Sequence, residues 1–249
     1  MLPRTPSYRL DGKRAVVIGG SRGIGLGCAV ALAEQGASVV IVARSKGQVF
    51  ETVNEMKSEG FSVSGAPMDV SIIDNVKNLM GEYSDIDILV NSAGIARHTP
   101  TVDTTELDFD DVMSVNVRSA YFLAQSAAKQ MISKGTGGSI IQISSQMAHI
   151  GGIDRAVYCG TKHAIEGINK SMAIEFGPHK IRVNSICPTF IRTPFTEPTF
   201  KDPEKVKWIE SKIKVGRVGE VEDIMGAVKF LASDVSAMVT GSSILIDGG

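Results

Sequence analysis

Tyr158 and Lys162 stand four residues apart in Tyr158-Cys159-Gly160-Thr161-Lys162. On a helix this spacing puts both side chains on one face. A phenol ordinarily releases its proton only near pH ~10, and an ammonium held beside it favours the phenolate. Such a pair can give a proton to a carbonyl oxygen as hydride reaches the carbon, or take one from an alcohol in reverse. Alone, a Tyr and a Lys at i, i+4 make an ordinary surface pair. Three other polar groups stand with them: Ser144-Ser145 after an apolar run, Asn116 inside an apolar helical stretch, and Asn91-Ser92-Ala93-Gly94 after another apolar run. Each alone is a capping or turn residue. Together they predict one site gathered at successive strand ends.

A second constellation lies near the start, in Ile18-Gly19-Gly20-Ser21-Arg22-Gly23-Ile24-Gly25. Glycines are needed where a chain turns sharply and lets a pyrophosphate approach its backbone. A helix N-terminus following such a turn offers free N–H groups and a positive dipole end. A Gly-rich turn is a weak signal until strand, turn and helix come in that order, as they do here. The next apolar run ends in Ala43-Arg44. An acid near this place pairs with a free ribose 2′-hydroxyl, whereas an arginine pairs with a 2′-phosphate. Ala43, Arg44 and Arg22 therefore point to NADP(H) in preference to NAD(H).

These residues need a scaffold. Short β-branched runs at Ala15–Ile18, Val39–Val42, Ile86–Val90, Ile140–Ile143, Ile181–Ile186 and Ile244–Ile246 suit strands buried on both faces, with Ser62–Ala66 a weaker seventh. Helical patterns fall between them at Ile24–Glu34, Gln48–Glu59, Ile73–Tyr83, Asp108–Ile132, Val157–Phe176 and Val221–Leu231. This alternation predicts an α/β fold: one doubly wound Rossmann-type domain over residues 1–249, with a seven-stranded parallel sheet. Pro188–Val218 carries four prolines and is the least regular stretch, expected to form a lid over the site with Phe195 and Trp208 packed on it.

Composition limits the alternatives. The 249 residues carry a net charge of −1 with scattered basic groups, which argues against a nucleic-acid partner. No apolar run is long enough to span a membrane. Three widely spaced cysteines and four histidines without ligand spacing predict neither disulfides nor a metal site. A cytoplasmic protein is expected.

The whole set resembles the short-chain dehydrogenase/reductase family, in its form of about 250 residues, from Lys13 to Gly249. The matching pieces are Gly19-x3-Gly23-x-Gly25, Asp69-Val70, Asn91-x-Ala93-Gly94, Asn116, Ser145, Tyr158-x3-Lys162 and Asp247-Gly248-Gly249. The resemblance implies that Tyr158 is the acid/base and that Ser145, with Ser144 as alternative, orients the carbonyl. Lys162 would also hold the nicotinamide ribose, and Asn116 a water linking Lys162 to solvent. Cofactor contacts would come from Gly19, Ser21, Arg22, Gly23, Ile24, Gly25, Arg44, Asp69, Val70, Asn91, Ala93, Gly94, Pro188, Ile191 and Thr193. Departures stand at Ile18 for the usual threonine, which removes a tie between the first strand and the Asn91 loop, at Ser92 for asparagine, and at Thr189 for glycine.

Substrate candidates follow Ser145. Gln146, His149 and Arg155, with Thr189, suit a small hydroxylated or anionic molecule better than a steroid or a long acyl chain. Arg155, three residues before Tyr158, either reaches a substrate carboxylate or faces solvent or a neighbouring subunit. His98 and His149 are expected to be structural rather than catalytic. A sugar, sugar-acid or polyol oxidoreductase is the leading expectation. The alternative is a 3-oxoacyl-[acyl-carrier-protein] reductase, docking its acidic carrier on Lys129, Lys134 and Lys180. A non-catalytic NADP-binding regulator would be expected to lack Tyr158 or Lys162. Apolar residues spread around Asp108–Ile132 and Val157–Phe176 predict a homo-oligomer, with relatives implying a tetramer.

Overall fold

A computed structural model describes residues 2–249. The strands are β1 (Arg14–Ile18), β2 (Ser38–Ala43), β3 (Val63–Pro67), β4 (Ile88–Asn91), β5 (Gly138–Ile143), β6 (Ile181–Pro188) and β7 (Ser243–Ile246). They form one seven-stranded sheet in the order β3-β2-β1-β4-β5-β6-β7, each pair parallel. The helices are α1 (Gly23–Glu34), α2 (Lys46–Ser58), α3 (Ile73–Glu82), α4 (Glu106–Met113), α5 (Ser119–Lys134), α6 (Ala156–Phe176), α7 (Glu197–Phe200), α8 (Pro203–Lys212) and α9 (Glu222–Ala232).

The apolar runs are continuous because the sheet is covered on both faces. Along β1, Ala15 and Val17 pack with Cys28 and Leu32 of α1, Val49 of α2 and Val228 of α9. Val16 and Ile18 pack on the opposite side with Leu79 of α3, Leu123 and Met131 of α5, and Met172 of α6. Successive residues of a strand point to opposite faces, so both sets must be apolar. Burying each large aliphatic side chain contributes roughly 1.5–3 kcal/mol. The C-terminal strand ends therefore sit on a rigid base. Winding reverses between β1 and β4, the place where doubly wound sheets open a crevice.

Two expectations need correction. The Asp108–Ile132 run is helical throughout, but not α-helical throughout: a π-helical turn, Ser114–Arg118, joins α4 to α5 and carries Asn116. Single wide turns of this kind displace a side chain out of helical register. The Pro188–Val218 segment is also more ordered than its prolines suggest, for it contains α7 and α8. Pro203 does not break α8 but starts it. Asp202 caps the helix by accepting from the N–H groups of Glu204 and Lys205, and proline fits the first turn, where its missing N–H costs nothing.

Candidate active site

The turn after β1 is shaped by close approach. Gly19 and Gly23 have φ of +75° and +54°, in the left-handed region. A Cβ on Gly25 would lie 2.1 Å from the Gly19 carbonyl oxygen, so the first turn of α1 can sit on the preceding chain only without a side chain there. Arg22 at the helix start gives no side-chain cap, and the first turn holds no acid. The N–H groups of α1 are thus left facing a cleft of about 710 Å³, which also exposes Ser21 and Ile24. The Ser92 N–H donates to the Ile18 carbonyl at 2.9 Å, so main chain ties the Asn91 loop to β1 despite Ile18. On the same side Arg22 and Arg44 are exposed, and neither is in an ion pair among the described residues. Burial raises the Asp69 carboxyl, but donation from the Ser71 hydroxyl and N–H, aided by Arg44, holds it below its ordinary range. Val70 lines the cleft beside it.

Opposite the turn, α6 presents Tyr158 and Lys162. The Lys162 Nζ lies 5.6 Å from the centre of the Tyr158 ring and donates to the Ile143 carbonyl at 3.0 Å, which anchors it to the end of β5. Lys162 is buried. Asn116 stands behind it rather than in the cleft wall. Its Oδ1 accepts from the Ile95 N–H at 2.8 Å, and its Nδ2 donates to the Ile95 carbonyl at 2.9 Å and to Thr161 Oγ1 at 3.2 Å. A Cβ on Gly94 would touch both Asn116 Oδ1 and Lys162 Nζ, at 3.5 and 3.8 Å, so Gly94 lets this loop close on the lysine. Asn91 is buried away from the cleft lining: its Nδ2 donates to Gln142 and its Oδ1 accepts from the Ala93 N–H, shaping the loop from below.

The two serine candidates separate. Ser145 lines the cleft, and its Oγ accepts from the Met147 N–H at 3.1 Å. Ser144 also borders the cleft, but its hydroxyl faces the buried Glu166 carboxylate. Arg155 turns into the cleft wall, half-buried, with its guanidinium 5.4 Å from the Phe190 ring centre and no carboxylate partner among the described residues. His98 was expected from the sequence to be structural rather than part of the site. It lines the cleft, with its ring edge-on to Tyr158 at 6.1 Å between centres. Burial, then the positive charges of Arg155 and Lys205, push the imidazole below its ordinary 6.5. The only hint was its place a few residues past the Asn91 loop. Gln146, Thr189, Pro188, Ile191 and Thr193 complete this side, while His149 is exposed and outside the lining. Phe195 lines the cleft mouth, but Trp208 does not pack over it; it is 60% exposed on α8, where Ile209 is the buried residue.

Residues 18–249 match the sequence family described as enoyl-(acyl carrier protein) reductase. The chain is 37% identical over 241 residues to L-xylulose reductase of Bos taurus, covering 97% of each chain. It is 37% identical over 246 residues to gluconate 5-dehydrogenase of Gluconobacter oxydans, covering 97% of this chain and 96% of that one. The fold superposes on the crystal structure of a gluconate 5-dehydrogenase from Burkholderia cenocepacia in complex with NADP and tartrate, with TM-score 0.94 and 34% identity over 97% and 96% of the two chains. The chain belongs to the short-chain dehydrogenase/reductase family. Its departures from the usual pattern, Ile18, Ser92 and Thr189, leave the strand ends of this family member in place: β1 and the Asn91 loop are joined by main chain, and the Thr189 N–H donates to the Ile246 carbonyl at 3.0 Å.

Proposed function

We propose that the chain is an NADP(H)-dependent oxidoreductase that interconverts a secondary alcohol and a ketone on a small polar substrate of the sugar or sugar-acid class. The observation that carries this reading is the cleft itself: Tyr158, Lys162 and Ser145 on one wall face the glycine turn and two unpaired arginines on the other. The Gly25 approach and the uncapped start of α1 fit a pyrophosphate, and Arg22 and Arg44 fit a 2′-phosphate. Asp69 and Val70 would border the adenine, Gly94 the nicotinamide ribose, and Pro188, Ile191 and Thr193 the carboxamide.

When bound, the cofactor supplies or accepts the hydride. The Ser145 hydroxyl donates to the substrate carbonyl oxygen and fixes its direction. The Tyr158 hydroxyl gives its proton to the same oxygen, and the Lys162 ammonium stabilises the phenolate that remains. In oxidation the phenolate takes the alcohol proton. Asn116 acts at one remove, holding the Ile95 segment and Thr161 so that Lys162 keeps its place. Arg155 and His98 would receive a carboxylate or hydroxyls, and Gln146 and Thr189 would line the same pocket. The α7–α8 segment within 188–218 would serve as the lid of a single-domain enzyme.

A second reading, reduction of acyl groups on a carrier protein, is favoured by the family description. Against it, Lys134 is engaged by Asp87 at 2.6 Å, and Lys134 and Lys180 precede β5 and β6, at the N-terminal ends of the strands and away from the cleft. The test is a screen of hexonates, aldoses, polyols and a short 3-oxoacyl thioester with NADP(H), following absorbance of the reduced nicotinamide. Turnover of a hexonate or a ketose is expected; turnover of the thioester alone would overturn the substrate class. A homotetramer is proposed from apolar side chains left on the surface of α4, α5 and α6, among them Phe109, Tyr121 and Ile174, the last 78% exposed. A cytoplasmic setting fits three unpaired cysteines, and no helix among the described residues is long and apolar enough to cross a membrane.

A further inference from the structure

Behind the catalytic strand ends lies a second polar cluster that the proposed reaction does not use. Glu166, one helical turn after Lys162, is buried between α6 and the sheet. Its Oε2 accepts from the hydroxyls of Ser185 on β6, at 2.7 Å, and Ser243 on β7. Its Oε1 accepts from the Cys187 thiol, with Sγ at 3.6 Å. The His149 imidazole reaches the same place: one nitrogen of His149, one oxygen of Glu166 and the Cys187 sulfur all lie within 4.8 Å of one another. The Ser144 hydroxyl points at this carboxylate and thiol yet completes no hydrogen bond of its own, although it is buried. Among the described residues no Lys, Arg or His forms an ion pair with Glu166. A buried carboxylate is ordinarily paired with a cation or bound to a metal.

We propose that His149, Glu166 and Cys187 form a binding site for a zinc-class divalent cation, with Ser144 beside the open fourth position. The donor set is one nitrogen, one oxygen and one sulfur, the mixture zinc takes. Zinc holding an oxygen at about 2.0 Å and a sulfur at about 2.3 Å at the tetrahedral angle sets them about 3.5 Å apart, close to the 3.6 Å observed. The imidazole must approach by at most about 1.5 Å to complete the set. It can do so because His149 is exposed, at the end of the short 146–149 turn, and this exposed edge is also the route of entry.

The charge balance favours the ion. The Cys187 thiol gives up its proton when a metal takes its sulfur. Binding replaces that proton: the S–H bond breaks, a zinc–sulfur bond forms, and the proton leaves to water. A divalent cation with one carboxylate, one thiolate and a neutral imidazole carries no net charge, which suits a buried place. The three donors are 17 and 21 residues apart in sequence, so no ligand-spacing motif announces them. Cys187 precedes Pro188 and Ser144 precedes Ser145, so the ion would tie the segment after β5 to β6 and α6 directly behind the reacting groups.

The experiment uses full-length protein freed of any histidine tag and stripped with chelator. Cobalt(II) is added alone and absorbance followed for a thiolate-to-cobalt charge-transfer band; zinc is then titrated in to displace it. One equivalent should bind with that band, and zinc should abolish it and raise the thermal unfolding midpoint. Cys187→Ser should lose the band, whereas Cys159→Ser should keep it. His149→Ala, a change at an exposed position, should weaken zinc by more than the about 10–100-fold that loss of an outer-shell partner costs. Absence of the band in the native protein, or binding unaltered in both Cys187→Ser and His149→Ala, would overturn the site. None of these readouts depends on turnover, so the outcome stands apart from the proposed activity.

Discussion

Replacing Arg44 by alanine should weaken the preference for NADP(H), and replacing Ala43 by aspartate should reverse it. Arg44 stands at the end of β2 with no carboxylate holding it, so its guanidinium is available to a 2′-phosphate. A charge-assisted hydrogen bond contributes roughly 1.5–3 kcal/mol. Arg44 is exposed and screened by solvent, and Arg22 shares the charge, which puts the loss near the lower end. That is about tenfold in affinity. Position 43 is different, because its main chain is fixed: the Ala43 carbonyl accepts from the Met68 N–H at 2.8 Å. A carboxylate there, about 5 Å from a phosphate charge at an effective dielectric constant of about 20, would repel it by about 3 kcal/mol. That corresponds to more than a hundredfold. The assay is kcat/KM for NADP and for NAD with one substrate, in the native protein and both variants. A native protein that prefers NAD, or an Arg44→Ala ratio equal to the native one, would refute the electrostatic argument.

Other consequences can be checked more briefly. Gly25→Ala forces a methyl group to within 2.1 Å of the Gly19 carbonyl, so the turn must shift; cofactor affinity should fall at least about tenfold and stability by about 1–3 kcal/mol, read by fluorescence titration and thermal unfolding. Glu166 in the metal-free protein is raised by burial but lowered more by the hydroxyls of Ser243 and Ser185, leaving it below its ordinary 4.5. Its contribution to stability is complete above that value and disappears as pH falls through the lower folded value. Glu166→Gln should therefore flatten the acid limb of a plot of unfolding midpoint against pH, and an unchanged limb would contradict the assignment. Light scattering should show a tetramer at micromolar concentration; a monomer would count against the reading of Phe109, Tyr121 and Ile174.

What the sequence disclosed was local. Buried strands show as β-branched runs because each residue of β1 meets apolar neighbours on one face or the other. The weak seventh strand, expected at Ser62–Ala66 and found at Val63–Pro67, was legible only because six others demanded it. The placing of Tyr158, Lys162 and the glycine turn at one cleft is legible for the same reason, since each depends on spacing within one element. What was hidden depends on contacts between distant segments. His98 meets Tyr158 across 60 residues, and Glu166 meets Cys187 across 21. The wide turn at Asn116 answers to hydrogen bonds with Ile95 and Thr161 rather than to its own sequence. Helix α8 was obscured because Pro203 reads as a breaker until Asp202 is recognised as its cap.

Tyr158→Phe tests the central claim most directly. Phenylalanine keeps the ring packed edge-on to His98 and under Lys162, and removes only the hydroxyl. Turnover should fall by roughly 10²–10⁴, the usual worth of a positioned proton donor. NADPH binding, followed by fluorescence, should stay within a few-fold of native, because the glycine turn, Arg44 and Lys162 are untouched. Near-normal turnover in this variant, with cofactor bound, would contradict the assignment of the acid/base and the reaction built on it.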